Sequence, residues 1–351
     1  MAALRFAALR RDYYDAFWID AAEQIAAVCE KWGPEYHRIS RSGLSIIVRQ
    51  SEVRLDDSLT LDLMGNKLLT YRLLAEQGFT IPRHVRFSFS DLAPAVSLIG
   101  TTGRPIVVKP VSGTGGGNGV TTGVVSRAGL IRAAWHASRF DPDLIAEEQI
   151  DGHSYRLLFL DGMLLDAVRR EPPRVTGDGK RSIRALVRAE NQRRLAGQPF
   201  TALSPLRLDR DALSYLAAQD LTPRSKLGPG ETIVVKRAVN QNTASDNHAV
   251  TRMVHPETAA LCAKLLANLG VRFAGIDILA RDISKLLKRS NGLIGEINTT
   301  PGLHHHDLVA ERDNGRAAAA ALLEHLFKTR SGVVVSDRRP ELLSQARKAA
   351  G

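Results

Sequence analysis

The apolar residues of this chain fall into short runs of two kinds. Leu44–Arg49, Ile106–Pro110, Leu144–Ile150, Phe273–Leu279 and Leu293–Ile297 are nearly continuous, rich in Ile, Val and Leu, and bounded by Gly, Pro or polar residues. Such runs predict strands. Val53–Leu55 and Ile233–Arg237 read as shorter ones, and Val124 opens another. Tyr155–Leu160 and Met163–Arg170 flank Asp161-Gly162, the signature of a type I′ hairpin. Other stretches follow a helical period: Asp20–Lys31 with Ile25, Val28 and Cys29 on one face, Lys67–Gln77 ended by Gly78, Asp91–Ile99, Leu130–Ser138 and Arg316–Lys328. Pro256–Asn268 starts with a proline, carries Leu261, Leu265 and Leu269 on one face, and has Gly270 just past its end, as helices prefer. The alternation predicts an α/β (α+β) protein. Residues 171–230 are polar and rich in Arg, Pro and Gly, with helical pieces near 183–195 and 211–219, and are expected to form a substrate-facing insertion. The basic segment from Arg330 onward is expected to be a loosely held tail.

A length of 351 residues allows two or three domains, and 44% hydrophobic with 24% charged residues is the composition of a globular enzyme. No apolar run is long enough to span a membrane. Met1–Arg11 lacks a signal-peptide core and cleavage site. Cys29 and Cys262 each sit in a helix-like apolar pattern and read as small buried side chains, which suits a reducing cytoplasm. The net charge of +11 admits a nucleic-acid partner, an anionic substrate or plain composition. The densest basic stretch, Lys180–Arg194, has mostly helical spacing and reads as a solvated helix face. With no zinc-finger or RNP-type motif beside it, nucleic acid is not expected as a partner.

The chemistry gathers at the end of one strand. Glu296 and Asn298 lie two apart, so they present oxygens on the same face just before the Pro301-Gly302 turn. Asp277 is a carboxylate inside another apolar strand and needs a partner. Two readings stay open here: hard oxygen ligands for magnesium, or carboxylates that each satisfy a nearby arginine. Ser112–Gly119 is a glycine-rich loop following the Lys109 strand. It fits neither the P-loop nor the dinucleotide fingerprint. Its backbone N–H groups could still fold over phosphates, and Lys109 is placed to neutralise their charge.

Val-Val-Lys109-Pro with its glycine loop, Glu147-Glu-Gln-Ile150, Asp277 and Glu296-x-Asn298-x-x-Pro-Gly together resemble the ATP-grasp superfamily over roughly residues 60 to 328. Tyr155-Arg-Leu-Leu, Thr176-Gly-Asp-Gly-Lys-Arg-Ser-Ile-Arg184, Val254-His-Pro-Glu257 and Ala274-Gly-Ile-Asp-Ile278 make it look most like the ATP-grasp region of cyanophycin synthetases. The glutathione-synthetase modules of bifunctional bacterial enzymes are similar in the same places. The resemblance implies an ATP-grasp fold of two α+β lobes gripping ATP: a short N-terminal lobe (1–62), a small subdomain (63–150), a large subdomain (151–330) and a tail (331–351). It implies that Lys67 and Lys109 bind nucleotide, although Asn66 replaces the usual Asp. The loop carrying Gly113, Gly115, Gly116, Gly117 and Gly119 would close over the β- and γ-phosphates. Glu147, Glu148, Gln149 and Ile150 would form the adenine hinge. Ser154 stands where an acidic ribose ligand is common. Asp277, Glu296 and Asn298 would hold two Mg2+ ions, with Glu296 bridging.

The implied activity is that of an ATP-dependent ligase joining a carboxylate to an amine through an acyl phosphate. A phosphotransferase or a non-catalytic ATP-binding protein are the alternatives. Lys236 or Arg237 could add positive charge, and Arg156 and N–H groups near Gly302 could stabilise the tetrahedral oxyanion. Arg156, Arg169 and Arg170 could clamp substrate carboxylates, and His304 could touch substrate. Amino acids or short peptides, acidic ones in particular, are the expected substrates, and a homo-oligomer is possible. The family's Mur-ligase-like second site would follow this region and lies outside the 351 residues, so a standalone ligase joining small building blocks is expected.

Overall fold

A computed structural model describes residues 2–113, 117–196, 201–311 and 315–335. The chain forms two compact units. One holds residues 1–10 and Asp56–Gly315, and the other holds Arg11–Leu55 with the segment from Arg316 onward.

The smaller unit carries most of α1 (Ala2–Glu23), then β1 (Val28–Lys31), β2 (Tyr36–Arg41) and β3 (Leu44–Arg49). The predicted helix over Asp20–Lys31 is corrected here. The chain leaves the helical conformation at Ala26, where φ is +53°, and continues as β1. Cys29 is therefore a partly exposed strand residue, whereas Cys262 is buried on a helix as expected. Val53–Leu55 is not a strand.

The long first helix has no clear apolar stripe in sequence. Its aromatic residues nevertheless pack on one another, with Phe17 edge-on to both Tyr14 and Trp18. A late segment completes the sheet. After α10 (Gly315–Thr329), β15 (Val333–Val335) pairs antiparallel with β3 to give the order β1-β2-β3-β15. The expected loose tail is thus a paired strand at its start.

The larger unit is built on two antiparallel sheets. Its elements begin with α2 (Ser58–Gly65), α3 (Lys67–Glu76), β4 (His84–Ser88), α4 (Ala93–Thr102) and β5 (Ile106–Pro110). They continue with β6 (Thr121–Val124), α5 (Arg127–Ala137) and β7 (Asp143–Glu148). β5 has its predicted bounds, but Val124 closes β6 rather than opening it. The first sheet has the order β4-β7-β5-β6. Leu98 of α4 and Leu130, Ala133 and Ala134 of α5 pack against Ile106, Val108 and Leu144.

The second sheet orders β12 (Asn247–Ala249), β9 (Met163–Arg170), β8 (His153–Leu160), β13 (Phe273–Ala280) and β14 (Gly292–Asn298). The β8–β9 hairpin turns at Asp161 (φ +44°) and Gly162 (φ +78°), both positive as a type I′ turn requires. α8 (Pro256–Asn268) buries Cys262, Leu265 and Leu266 in the core that also takes Leu157, Phe159, Ile276 and Ile278 of the sheet. Burying side chains of this size stabilises by about 2 kcal/mol each before entropy is counted.

The polar insertion forms a third small core. β10 (Arg174–Thr176) pairs with β11 (Thr232–Val234), and α6 (Ile183–Ala196) and α7 (Arg210–Ala217) bury Ile183, Leu186, Ala212 and Leu216. One short helix, α9 (His304–Asp307), follows the Pro301-Gly302 turn.

Candidate active site

The five-stranded sheet sets the geometry. Asp277 on β13 pairs in register with Arg156 on β8 and with Glu296 on β14. In the next row of the same face, Gly275 pairs with Leu158 and Asn298. Arg156 Nε and Nη2 donate to the two oxygens of Asp277 at 2.6 and 2.8 Å, and Arg170 Nη2 adds a third bond at 2.9 Å. Lys67 Nζ donates to Glu296 Oε1 at 3.2 Å. Asp277 therefore pairs with arginine, and Glu296 with lysine. Burial pushes the Asp277 carboxyl up, but Arg156 and Arg170 outweigh it and hold it down to about 2. Arg170 Nε is buried with no hydrogen-bond partner among the described residues, a donor still in want of an acceptor.

A second buried cluster lies nearby. Lys109 Nζ donates to Glu147 Oε1 at 2.6 Å, and Tyr71 donates its hydroxyl to Glu147 Oε2 at 2.7 Å. Tyr71 also reaches the Gly295 carbonyl at 3.3 Å, which ties α3 to β14. Burial, and then the Glu147 charge, hold its phenol well above the ordinary range. Tyr71 follows Lys67 by four residues and so shares its helix face, a spacing that could have marked it from sequence.

A cleft of about 530 Å³ runs past these groups. Val107, Ile150, Leu279 and Leu293 give it apolar walls, and Ser154, Arg170 and Arg237 give it polar ones. The predicted hinge lines it, but two of its backbone donors are spent: Glu148 N bonds Arg83 O at 2.8 Å, and Gln149 N bonds Pro105 O at 2.9 Å.

The sequence is 28% identical to cyanophycin synthetase of Trichormus variabilis over 338 residues, covering 92% of this chain and 37% of that protein. It is 28% identical to the glutathione biosynthesis bifunctional protein GshAB of Clostridium perfringens over 274 residues, covering 78% of this chain and 35% of that protein. The chain thus spans about a third of the length of these curated relatives. No family model matches it. Among solved structures it is similar to a bifunctional glutathione synthetase from Pasteurella multocida, with a TM-score of 0.55, 22% identity, and coverage of 89% of this chain and 44% of that one. Its fold is ATP-grasp.

In ATP-grasp terms, the remaining predicted residues fall into those at the cleft and those apart from it. Ser154 accepts from Arg170 Nη2 at 2.9 Å and lines the cleft. Arg237 lines it too, stacked 5.4 Å from the Tyr215 ring centroid. Lys236 is fully buried and spent on Asp209 at 2.5 Å, beside the N-terminus of α7 that Asp209 caps. It is correspondingly not a cleft-facing charge. Arg169 is also set apart. It neighbours Arg170 on β9 and so faces the other side of the sheet, where it bonds Glu171 at 3.1 Å.

The glycine loop is anchored where Asp141 accepts from Ser112 N and Oγ at 3.0 and 2.6 Å. Gly113, Gly117 and Gly119 all have positive φ. A Cβ on Gly117 would fall 2.1 Å from Asn240 Nδ2. Gly115 and Gly116 lie outside the described residues.

After β14 the chain doubles back over the ATP-grasp sheet. Pro301 sits over Gly275, at 3.1 Å from where a Cβ would be. His306 reaches Asp166 on β9, with Nδ1 to Oδ2 at 2.7 Å, and Thr251 donates to the other oxygen at 2.5 Å. Gly302 lets His304 lie against it, since a Cβ there would come within 2.7 Å of the ring. Burial, then Arg10 and Arg156, keep His304 well below its ordinary pKa, so it is neutral at neutral pH. Sequence patterns gave no sign of the Asp166–His306 pair, nor of Asp211, whose carboxylate ties Thr122 (2.9 and 2.6 Å) to Ala238 N (3.1 Å).

Asp277, Glu296 and Asn298 are oxygen donors of the type magnesium takes. Two carboxylates directly opposite in register repel unless something positive sits between or beside them, and here Arg156, Arg170 and Lys67 supply that charge. Among the described residues no three His, Cys, Asp or Glu side chains converge on one point.

Proposed function

We propose that this chain is an ADP-forming, carbon–nitrogen bond-forming ligase that joins a carboxylate to an amine of amino acids or short peptides. The observation that carries the proposal is the Arg156–Asp277–Glu296 row, with Arg170 and Lys67 closing on it from either side. Two acidic and three basic groups gather on one sheet face, beside a cleft with apolar walls.

We assign the roles from the family resemblance and the cleft lining. The apolar walls hold the adenine, with its edge read by the backbone at Ile150, and Ser154 faces the ribose. Lys67 and Lys109 neutralise phosphate charge, and the loop from Gly113 to Gly119 covers the β- and γ-phosphates. Asp277, Glu296 and Asn298 would hold two Mg2+ ions, which when bound supply Lewis-acid neutralisation of the phosphates. Arg170 Nε and Arg156 orient the substrate carboxylate. One carboxylate oxygen attacks the γ-phosphorus, and ADP leaves. The amine then attacks the acyl carbon, phosphate leaves with its bonding electron pair, and the amine gives up a proton as the amide forms. Arg156 and N–H groups near Gly302 face the oxyanion of that second step, and neutral His304 lies on the amine side. The lobes that do this work are assigned to 63–150 and 151–330.

Phosphorus NMR and mass spectrometry on the protein with MgATP and pooled amino acids test the proposal. ADP, free phosphate and a product mass equal to two substrates minus water are expected. A phosphorylated product without free phosphate would make the protein a phosphotransferase instead.

A further inference from the structure

A second cleft, of about 410 Å³, lies at the hinge. Four arginines line it: Arg83 just before β4, Arg104 just before β5, Arg281 just after β13 and Arg289 just before β14. Glu148 and Asp151 are its acidic residues, so the lining carries a net charge of +2. Glu148 is already spent, accepting from Arg83 N and Nε at 3.1 and 3.2 Å.

The other three guanidinium groups gather around this one cleft. Elsewhere on the same unit, Arg86, Arg174, Arg181, Arg193 and Arg272 each pair with a neighbouring carboxylate. The side chains of Arg104, Arg281 and Arg289 make no ion pair or hydrogen bond among the described residues. The segments that carry them are nonetheless fixed. Asn291 donates to the carbonyls of Asp282 and Lys285 and accepts from Asp282 N, which pins the loop of Arg281 and Arg289. The bonds from Glu148 N to Arg83 O and from Gln149 N to Pro105 O fix the other two against the hinge. Three unspent guanidinium groups on fixed segments around one cleft offer more donors than a single carboxylate has oxygens to accept. A di- or triphosphate presents enough oxygens in one compact group, and guanidinium matches phosphate oxygens bidentately.

We propose that this cleft is a binding site for a compact multivalent phosphate, separate from the nucleotide cleft and spanning the two sheets at the hinge. It shares Glu148, Ile150, Asp151 and Leu293 with the nucleotide cleft, so an occupant touches the hinge as well.

The test is calorimetric titration of inorganic pyrophosphate into the full chain, with and without a saturating non-hydrolysable MgATP analogue and at low and moderate salt. One pyrophosphate per chain is expected to bind in the presence of the analogue. Arg104→Ala with Arg289→Ala should weaken it by about tenfold or more, given the strength of charge-assisted bonds, and leave the affinity for the analogue unchanged. Arg104→Gln with Arg289→Gln should behave the same way and guards against a folding defect in the first variant. Pyrophosphate binding that disappears once the analogue saturates would assign it to the nucleotide cleft and overturn the proposal. Pyrophosphate binding by both double variants as tight as by the natural protein would overturn it too, as would citrate binding as tightly as pyrophosphate. None of these readouts needs turnover, so the site stands or falls independently of the ligase activity.

Discussion

Asp277 and Glu296 face each other directly across β13 and β14, and each is already held by a cation from outside that strand pair. The strand pairing fixes the spacing of their backbones and keeps the two side chains neighbours. Asp277→Asn leaves two buried guanidinium groups short of a counter-charge. It should cost about 3 kcal/mol of stability and abolish ADP release. Glu296→Gln removes a more exposed group and should fold almost normally. Its half-saturating magnesium should rise by at least the roughly tenfold seen when even an outer partner of a metal ligand is lost. Chemical unfolding and magnesium titrations of turnover check the two. A Glu296→Gln protein with unchanged magnesium dependence would remove the carboxylate from the ion-binding set.

The Lys109–Glu147 pair separates stability from catalysis. Lys109→Met strands a buried carboxylate with Tyr71 as its remaining side-chain partner among the described residues, at a cost of about 3 kcal/mol. Adding Glu147→Gln removes the stranded charge and leaves an acceptor for the Tyr71 hydroxyl. Most of the stability should return in the double variant while turnover stays lost, because the lysine charge at the phosphates is still missing. Recovery of turnover along with stability would show that Lys109 is only structural.

Arg169 and Arg170 are neighbours in sequence but lie on opposite faces of β9. Arg170→Ala removes a bond to Asp277 and the unsatisfied Nε donor, and kcat/KM should fall by on the order of a hundredfold or more, the range for loss of a buried charged contact. Arg169→Ala removes a bond to Glu171 and should leave kcat/KM within about threefold. The ratio of the two losses decides whether this sheet face is the reacting one. Equal losses would put both faces in contact with substrate.

Part of the candidate site's geometry was legible in sequence because its spacing is local. Glu296 and Asn298 share a face through strand periodicity, and Asp161-Gly162 marks a turn whose positive φ values few other pairs adopt. The partners of the carboxylates were not legible, because cross-strand register is tertiary. Nothing near Asp277 in sequence says that Arg156 and Arg170, more than a hundred positions away, will meet it. The return of residues 301–306 across the sheet is of the same kind. The misreading of Asp20–Lys31 has a local cause. The apolar spacing of Ile25, Val28 and Cys29 is helical, but the backbone reverses at Ala26 without a glycine to announce it.

The Asp166–His306 pair gives the fold a pH signature. Burial pushes the Asp166 carboxyl up, but the bonds from His306 and Thr251 outweigh it and hold it below the ordinary carboxylate range. A carboxylate depressed in the folded state contributes stability that is fully present above its unfolded pKa, near 4, and is lost as the pH falls through the lower folded value. Asp166→Asn should therefore be less stable than the natural protein by about 2 kcal/mol at neutral pH, the scale for losing a charged, buried hydrogen-bond partner. The gap should close progressively below about pH 4. Urea unfolding of both proteins from neutral to acid pH measures it. A gap that stays constant to the acid end would mean that the asparagine harms packing rather than charge. The Pro301-Gly302 turn would then be held over the sheet by shape alone.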